Sequence, residues 1–212
     1  MSSLAVAVDG RPLGRRAQQT RRQLLDATRA LLELHGVRDL RVVEIARKVG
    51  TSPATFYQYF RDVEDAVLVL AAEAGSELDP LTQLLEASWT GRAGIDAARA
   101  LVDGFVDYWD RHRAVLRVRN LAAQEGDERF RDVRNRTLSA ITDRLEAKLA
   151  ESQAAGRVAS ELTPYAAAAA LVSMMERMAA YHFDLEPRGI TRPDIVETVA
   201  RIIHQTVTGR RV

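Results

Sequence analysis

Residues 43–60 read Val-Glu-Ile-Ala-Arg-Lys-Val-Gly-Thr-Ser-Pro-Ala-Thr-Phe-Tyr-Gln-Tyr-Phe. Val42, Ile45, Ala46 and Val49 recur at i, i+3, i+4 and i+7, which puts them on one face of a short helix. Gly50 ends that helix. Ser52 then supplies an N-cap, its hydroxyl accepting from an orphan backbone N–H of the next helix. Pro53 falls at the first helical position, where its missing N–H costs nothing. Phe56, Tyr59 and Phe60 form the buried side of this second short helix. The stretch therefore predicts two short helices joined by a tight turn, the second with a small, polar leading edge.

The flanks continue the helical pattern. Upstream, residues 16–35 predict a helix with Leu24, Ala27, Thr28, Leu31, Leu34 and His35 at helical spacing and Gly36 as C-cap. Downstream, Asp62 caps a further helix, and Asp65 completes a variant of the capping box. Val63, Ala66, Val67, Leu70, Ala71 and Ala74 form its apolar stripe. Beyond Asp79-Pro80 the periodicity predicts helices near 80–89, 94–112, 114–124, 127–153, Thr163–His182 and 192–208. The long ones carry apolar faces at Ala98, Leu101, Val102, Phe105 and Trp109, and at Phe130, Leu138, Ile141, Leu145 and Leu149. No segment alternates with period two, so the chain is expected to be all-α. The expected division is a flexible basic arm at 1–15, a three-helix head at 16–62, and a helical body at 63–212.

Composition narrows the function. The chain has 212 residues with 30 Lys+Arg, 29 Asp+Glu and a net charge of +1. That excludes a uniformly basic coat for nucleic acid, but the charge is uneven. The first 60 residues hold ten basic and five acidic side chains, a local +5, so the remaining chain carries −4. A basic front is expected to meet a polyanion. The absence of cysteine excludes a disulfide framework, thiolate metal ligands and a cysteine nucleophile. No apolar run reaches membrane-span length, and Leu4–Val8 is too short for a signal-peptide core, so a cytoplasmic location is expected.

A short helix, a tight turn and a second short helix with a polar start form a helix-turn-helix. The second helix enters the major groove by its leading turn, where small residues permit close approach. Its free N–H groups and dipole favour phosphate. The run Val43–Phe60 resembles the DNA-binding signature of TetR-family transcriptional regulators, and the resemblance extends over residues 18–70. It implies that Ser52, Pro53, Ala54, Thr55, Tyr57 and Tyr59 occupy recognition-helix positions that touch DNA, with Gln58 beside them. Two positions depart from the family pattern. Arg41 stands where Thr or Ser is usual, and Val63 stands where a phosphate-binding Lys is usual. Arg41, Arg47 and Lys48 are the expected replacements, with Arg61 a further one, and the arm's Arg11, Arg15 and Arg16 are expected to reach the minor groove or adjacent phosphates.

The resemblance also implies a ligand-sensing and dimerising body. Residues Ala170–Arg177 resemble the ethionamide-resistance repressor branch of the family. There, two Asn line a ligand channel at the positions of Val172 and Met175, so an apolar pocket is expected here. The candidate lining is Phe105, Tyr108, Trp109, Leu116, Val172, Met175, Met178 and Tyr181, adaptable Met and aromatic side chains that suit an apolar or amphipathic effector. The helix Thr163–His182 is apolar nearly all round, and the last helix has apolar residues on two faces, Ile195, Val196, Val199, Ile202, Ile203 and Val207. Two buried sides require two neighbours, so these last two helices are expected to pair with those of a second subunit. The four His are scattered and read as structural, and no metal site, phosphate loop or nucleophile elbow is found. No cofactor is expected.

These observations predict a homodimeric, one-component repressor, without enzymatic activity, released from a palindromic operator by a small effector. The alternative is an all-helical dimeric ligand-binding protein or enzyme without sequence-specific DNA binding. Loss of operator binding on substituting Thr55 or Tyr57 separates the two.

Overall fold

The computed structural model describes residues 7–35 and 40–209. Residues 1–6 of the arm and the expected C-cap Gly36 lie outside them. The elements among the described residues are helices: α1 (Arg15–His35), α2 (Val42–Val49), α3 (Pro53–Tyr57), α4 (Val63–Gly75), α5 (Asp79–Gln83), α6 (Gly91–Gln124), α7 (Glu128–Ala154), α8 (Pro164–Tyr181) and α9 (Arg192–Thr208). Turns of 3₁₀-helix follow α4 at Ser76–Leu78 and α8 at His182–Arg188. The all-α expectation holds.

The chain forms two compact units, one from Met1–Ala74 with Arg113–Arg134, the other from Gly75–His112 with Asn135–Val212. The first unit is larger than a head ending at residue 62. Its core explains why. Leu24, Leu25, Leu32, Ile45, Phe56 and Phe60 share one apolar cluster with Val63, Ala66, Val67 and Leu70 of α4 and with Val115, Phe130 and Val133. A three-helix head of this size has little surface to bury, and α4 with the 113–134 segment supplies the rest.

Within this unit α1 buries Leu24, Leu25, Ala27, Thr28 and Leu32. Leu34 is 69% exposed and His35 is also exposed, so the expected face is rotated at its C-terminal end. The i, i+4, i+8 row through Leu24, Thr28 and Leu32 carries the contact instead. The α4 stripe is buried at all six expected positions, Val63, Ala66, Val67, Leu70, Ala71 and Ala74. Asp62 caps it as expected, Oδ1 accepting from Asp65 N–H at 2.6 Å. The return bond goes one residue further back, from Arg61 N–H to Asp65 Oδ2 at 3.1 Å.

In the second unit α5 stops at Gln83, short of the expected 89. The next residues turn, and two side chains tie the turn down. Trp89 Nε1 donates to Leu84 O at 2.9 Å, and Lys148 Nζ donates to Ala87 O at 2.7 Å. Burial lowers the Lys148 ammonium from its ordinary pKa. The helices expected at 94–112 and 114–124 are one continuous α6. Residues 111–114 are Arg-His-Arg-Ala, of which Arg and Ala are good helix formers, with no glycine or proline to stop the chain. Thr163 precedes α8 with an extended backbone, but its side chain makes no cap bond. Thr191 caps α9 with a full capping box: Asp194 Oδ2 accepts from Thr191 N–H at 2.8 Å.

Ion pairs fasten α9 to α6. Arg192 reaches Asp103 at 2.6 Å and Asp107 at 2.7 Å. Arg99 holds Glu197 with two bonds, Nε to Oε2 at 2.6 Å and Nη2 to Oε1 at 2.9 Å. Three of the four His have structural settings, while His35 is exposed. His182 Nε2 lies 2.8 Å from Asp110 Oδ1, His112 Nε2 lies 3.0 Å from Glu77 Oε2, and the His204 ring stacks on Trp89. Among the described residues no three metal-ligating side chains gather, and no helix is long and apolar enough to cross a membrane.

Candidate nucleic-acid interface

The turn between α2 and α3 is built from local bonds. Gly50 adopts φ 71° and ψ 32°, a left-handed conformation. There its N–H donates to Arg47 O at 3.0 Å, and Thr51 N–H donates to Ala46 O at 2.9 Å. These two bonds close the end of α2. Two residues later the chain is extended at Ser52, φ −98° and ψ 156°. Ser52 Oγ accepts from Thr55 N–H at 3.2 Å and lies 3.1 Å from Thr55 Oγ1. Pro53 begins α3. The N-cap, Pro and glycine turn read from the sequence are all present.

Phe56 anchors α3. Its ring is fully buried and packs on Phe60 at 5.3 Å between centroids, with Tyr57 edge-on at 5.8 Å. Because one side of this short helix is held in the core, the other side faces outward. Ser52, Pro53, Ala54, Tyr57 and Gln58 are exposed, and Thr55 and Tyr59 are half-buried. The Tyr57 phenol is free to project, at 53% exposure. Thr55 has a second role that its sequence position does not reveal, since its N–H and hydroxyl both meet the Ser52 cap.

The cations of α2 flank this edge. Arg41 at its start and Arg47 and Lys48 in its last turn are exposed. Arg41 is a poor N-cap because a guanidinium has no acceptor. Only the reverse half of the capping box forms, Glu44 Oε2 accepting from Arg41 N–H at 3.2 Å. Val63 is buried in the core, where a Lys head group would have to reach out of an apolar cluster. Arg61, two residues earlier, is exposed and pairs with Asp65 at 3.4 Å.

One contact within this unit escaped the periodicity altogether. The arm folds back on this unit, with Val8 N–H donating to Gln58 O at 3.1 Å. Nothing in a fourteen-residue stretch rich in Gly and Pro signals a partner 50 residues away.

The eight residues read as effector lining are divided. Leu116 belongs to the first unit and the other seven to the second. Phe105, Tyr108, Trp109, Val172 and Met175 are buried. Met178 is half-buried. Tyr181 is 45% exposed, with the Arg177 guanidinium 3.8 Å from its ring centre. Trp109 Nε1 is buried with no hydrogen-bond acceptor.

An exposed, capped α3 set by a glycine turn against α2, in a basic helical unit, defines a helix-turn-helix DNA-binding protein. Comparison with known proteins identifies the family. Residues 24–68 match the model of the bacterial regulatory proteins of the tetR family, and residues 81–212 match the tetracyclin repressor-like C-terminal domain. The chain belongs to the TetR family of transcriptional regulators. Solved structures of the same fold include a TetR-family regulator from Rhodococcus sp., 18% identical over 89% of this chain and 99% of that one, TM-score 0.66. The transcriptional regulator FadR of Bacillus subtilis, solved with stearoyl-CoA, is 17% identical over 90% of this chain and 99% of that one, TM-score 0.63. SmeT, repressor of the Stenotrophomonas maltophilia efflux pump SmeDEF, is 16% identical over 90% and 89%, TM-score 0.55.

Proposed function

We propose that the protein is a homodimeric repressor that binds a palindromic operator through α3 and is released by a small apolar or amphipathic effector held in the second unit. The observation that carries the DNA-binding part is the exposed edge of α3, Ser52, Pro53, Ala54, Tyr57 and Gln58, held in place by the buried Phe56. Thr55 and Tyr59 complete the edge, and Arg41, Arg47 and Lys48 contact the phosphates that position it. Two such helices meet successive major grooves about 34–36 Å apart, or a multiple of that.

The dimer forms through α8 and α9. Supporting this, Tyr165, Ala166 and Ala170 of α8 and Ile202 of α9 are exposed, an apolar and small-residue surface on two helices that pack together. Small side chains there permit close approach of a second copy.

The effector is bound among Phe105, Tyr108, Trp109, Val172, Met175 and Met178. The supporting feature is Trp109, whose indole N–H is buried without an acceptor. An unsatisfied buried donor costs about 1–3 kcal/mol, which an effector carrying a carbonyl or ether oxygen relieves. Relatives of this fold take such molecules, stearoyl-CoA for FadR and triclosan for SmeT. The effector acts only by its differential affinity for the two states of the dimer. A coupling of about 1–3 kcal/mol changes operator affinity roughly 5- to 150-fold. The site of action is the cytoplasm, where operator and effector meet.

The test is selection of bound duplexes from a random pool with the full-length protein, followed by affinity measurement against salt on the enriched duplex. An enriched palindrome with a steep salt slope is expected. No enrichment by an intact dimer overturns the reading.

A further inference from the structure

We propose that the arm Ala7–Gly14 is a second DNA-contacting element, in which Arg11 leaves its partner Asp9 for a phosphate of the operator backbone beside α3. The inference rests on the DNA-binding reading above and extends it to residues outside the helix-turn-helix.

The arm has its own structure. Ala7 N–H donates to Arg11 O and Gly10 N–H to Ala7 O, each at 2.9 Å, closing a turn through Gly10 at φ 83°. The turn is held at both ends. Val8 N–H donates to Gln58 O at 3.1 Å, and Gln18 Nε2 donates to Leu13 O at 2.8 Å. Between arm and recognition segment lies an open cavity of about 510 Å³, lined among others by Val8, Arg11, Leu13, Tyr57, Gln58 and Tyr59. Arg11 therefore borders the same space as the recognition tyrosines, and a duplex seated on Tyr57 brings its backbone to the arm.

Charge selects the occupant. Arg11, Arg15 and Arg16 are all exposed, and Asp9 is the single acid between Ala7 and Arg16. In the free protein Arg11 Nε donates to Asp9 Oδ2 at 2.7 Å, with the two side chains 82% and 52% exposed. So open a pair is weak and exchanges readily. A duplex offers one negative charge per ~1.7 Å of axis and outcompetes one carboxylate. Asp9 is then a brake on binding: it occupies Arg11 and repels phosphate.

The test compares full-length wild type with Asp9→Asn, Arg11→Ala, the double Asp9→Asn/Arg11→Ala, and the triple Arg11→Ala/Arg15→Ala/Arg16→Ala. The probe is the duplex enriched by wild type, and the readout is fluorescence anisotropy over a salt series. Thermal unfolding of each variant checks that the fold is intact. Loss of one phosphate contact lowers the log–log salt slope by about 0.9, so Arg11→Ala is expected to lose about that much and the triple variant at least as much. Asp9→Asn is expected to tighten binding severalfold, and to do so less when Arg11 is absent. Equal slopes for wild type and Arg11→Ala overturn the proposal. So does an Asp9→Asn gain that is the same with and without Arg11, because the two residues then act independently. If wild type enriches no duplex, the DNA-binding reading fails and the arm inference with it. If wild type binds and the arm variants behave identically to it, only the arm inference fails.

Discussion

Replacing Gly50 with Ala tests whether the turn between α2 and α3 is set by backbone conformation alone. The residue sits at φ 71° and ψ 32°, and a Cβ built on it meets nothing within 4 Å. The cost is therefore torsional. An L-residue in this region is about 1–2 kcal/mol less stable, and stiffening the unfolded chain cannot repay it where φ is positive. Asn tolerates the region better than Ala, so Gly50→Asn is expected to fall between Gly and Ala. Gly209, after α9, provides the contrast. Its φ is 67°, nearly the same, but its Cβ would overlap the carbonyl group of Arg157. Gly209→Ala is therefore expected to carry the same torsional cost plus about 1–3 kcal/mol for displacing backbone. Urea unfolding followed by circular dichroism, at one protein concentration, measures all three. The midpoint is expected to move with m unchanged. The reasoning is refuted if Gly50→Ala is neutral, if Gly50→Asn is as destabilising as Gly50→Ala, or if Gly209→Ala costs no more than Gly50→Ala.

Arg41→Thr supplies the missing acceptor at the start of α2 and is expected to stabilise by about 1 kcal/mol. The same variant weakens operator binding if Arg41 contacts a phosphate, so melting temperature and affinity move in opposite directions. Tyr57→Phe removes an exposed hydroxyl and is expected to lower operator affinity by about 1 kcal/mol in binding energy, with the dimer unchanged by sedimentation. Trp109→Phe removes a buried donor that has no acceptor while keeping most of the ring volume. It is expected to leave the apo protein's operator binding intact and to weaken the effector's release of DNA; an unchanged effector response removes Trp109 from the site. Arg99, with Arg201, holds the Glu197 carboxyl down to about 2, against an ordinary value of 4.5. A carboxylate depressed in the folded state contributes stability above its unfolded pKa and loses it as pH falls through its folded pKa. Acid unfolding is expected to weaken the protein between pH 4.5 and about 2, and Glu197→Gln to flatten that part of the curve.

The readings that succeeded concern interactions three or four residues long. Gly50 ends α2, Ser52 caps α3, Pro53 begins it and Asp62 caps α4, and the bonds of Gly50, Ser52 and Asp62 each close within one turn. The α4 stripe is also correct, because an amphipathic helix on a single core has one buried face. The α1 face is only partly correct, since Leu34 and Leu32 compete at the same end of the helix and packing chose Leu32. The break expected at residue 113 does not form: Arg111 and Arg113 resemble a loop in sequence, but Arg is a good helix former.

The amino-acid sequence by itself determined the helical class, the turn and caps of the helix-turn-helix and the exposed edge of α3, because local hydrogen bonds and periodicity define them without reference to the rest of the chain. Only the tertiary structure decided that α4 and residues 113–134 complete the core of the first unit, that Arg192 gathers Asp103 and Asp107, that His182 finds Asp110, and that Val8 meets Gln58. These partners are separated by about 50 to 90 residues. A charge or a free N–H carries no mark of which distant group will satisfy it, and that choice is made by the burial of the helices that bring the two together.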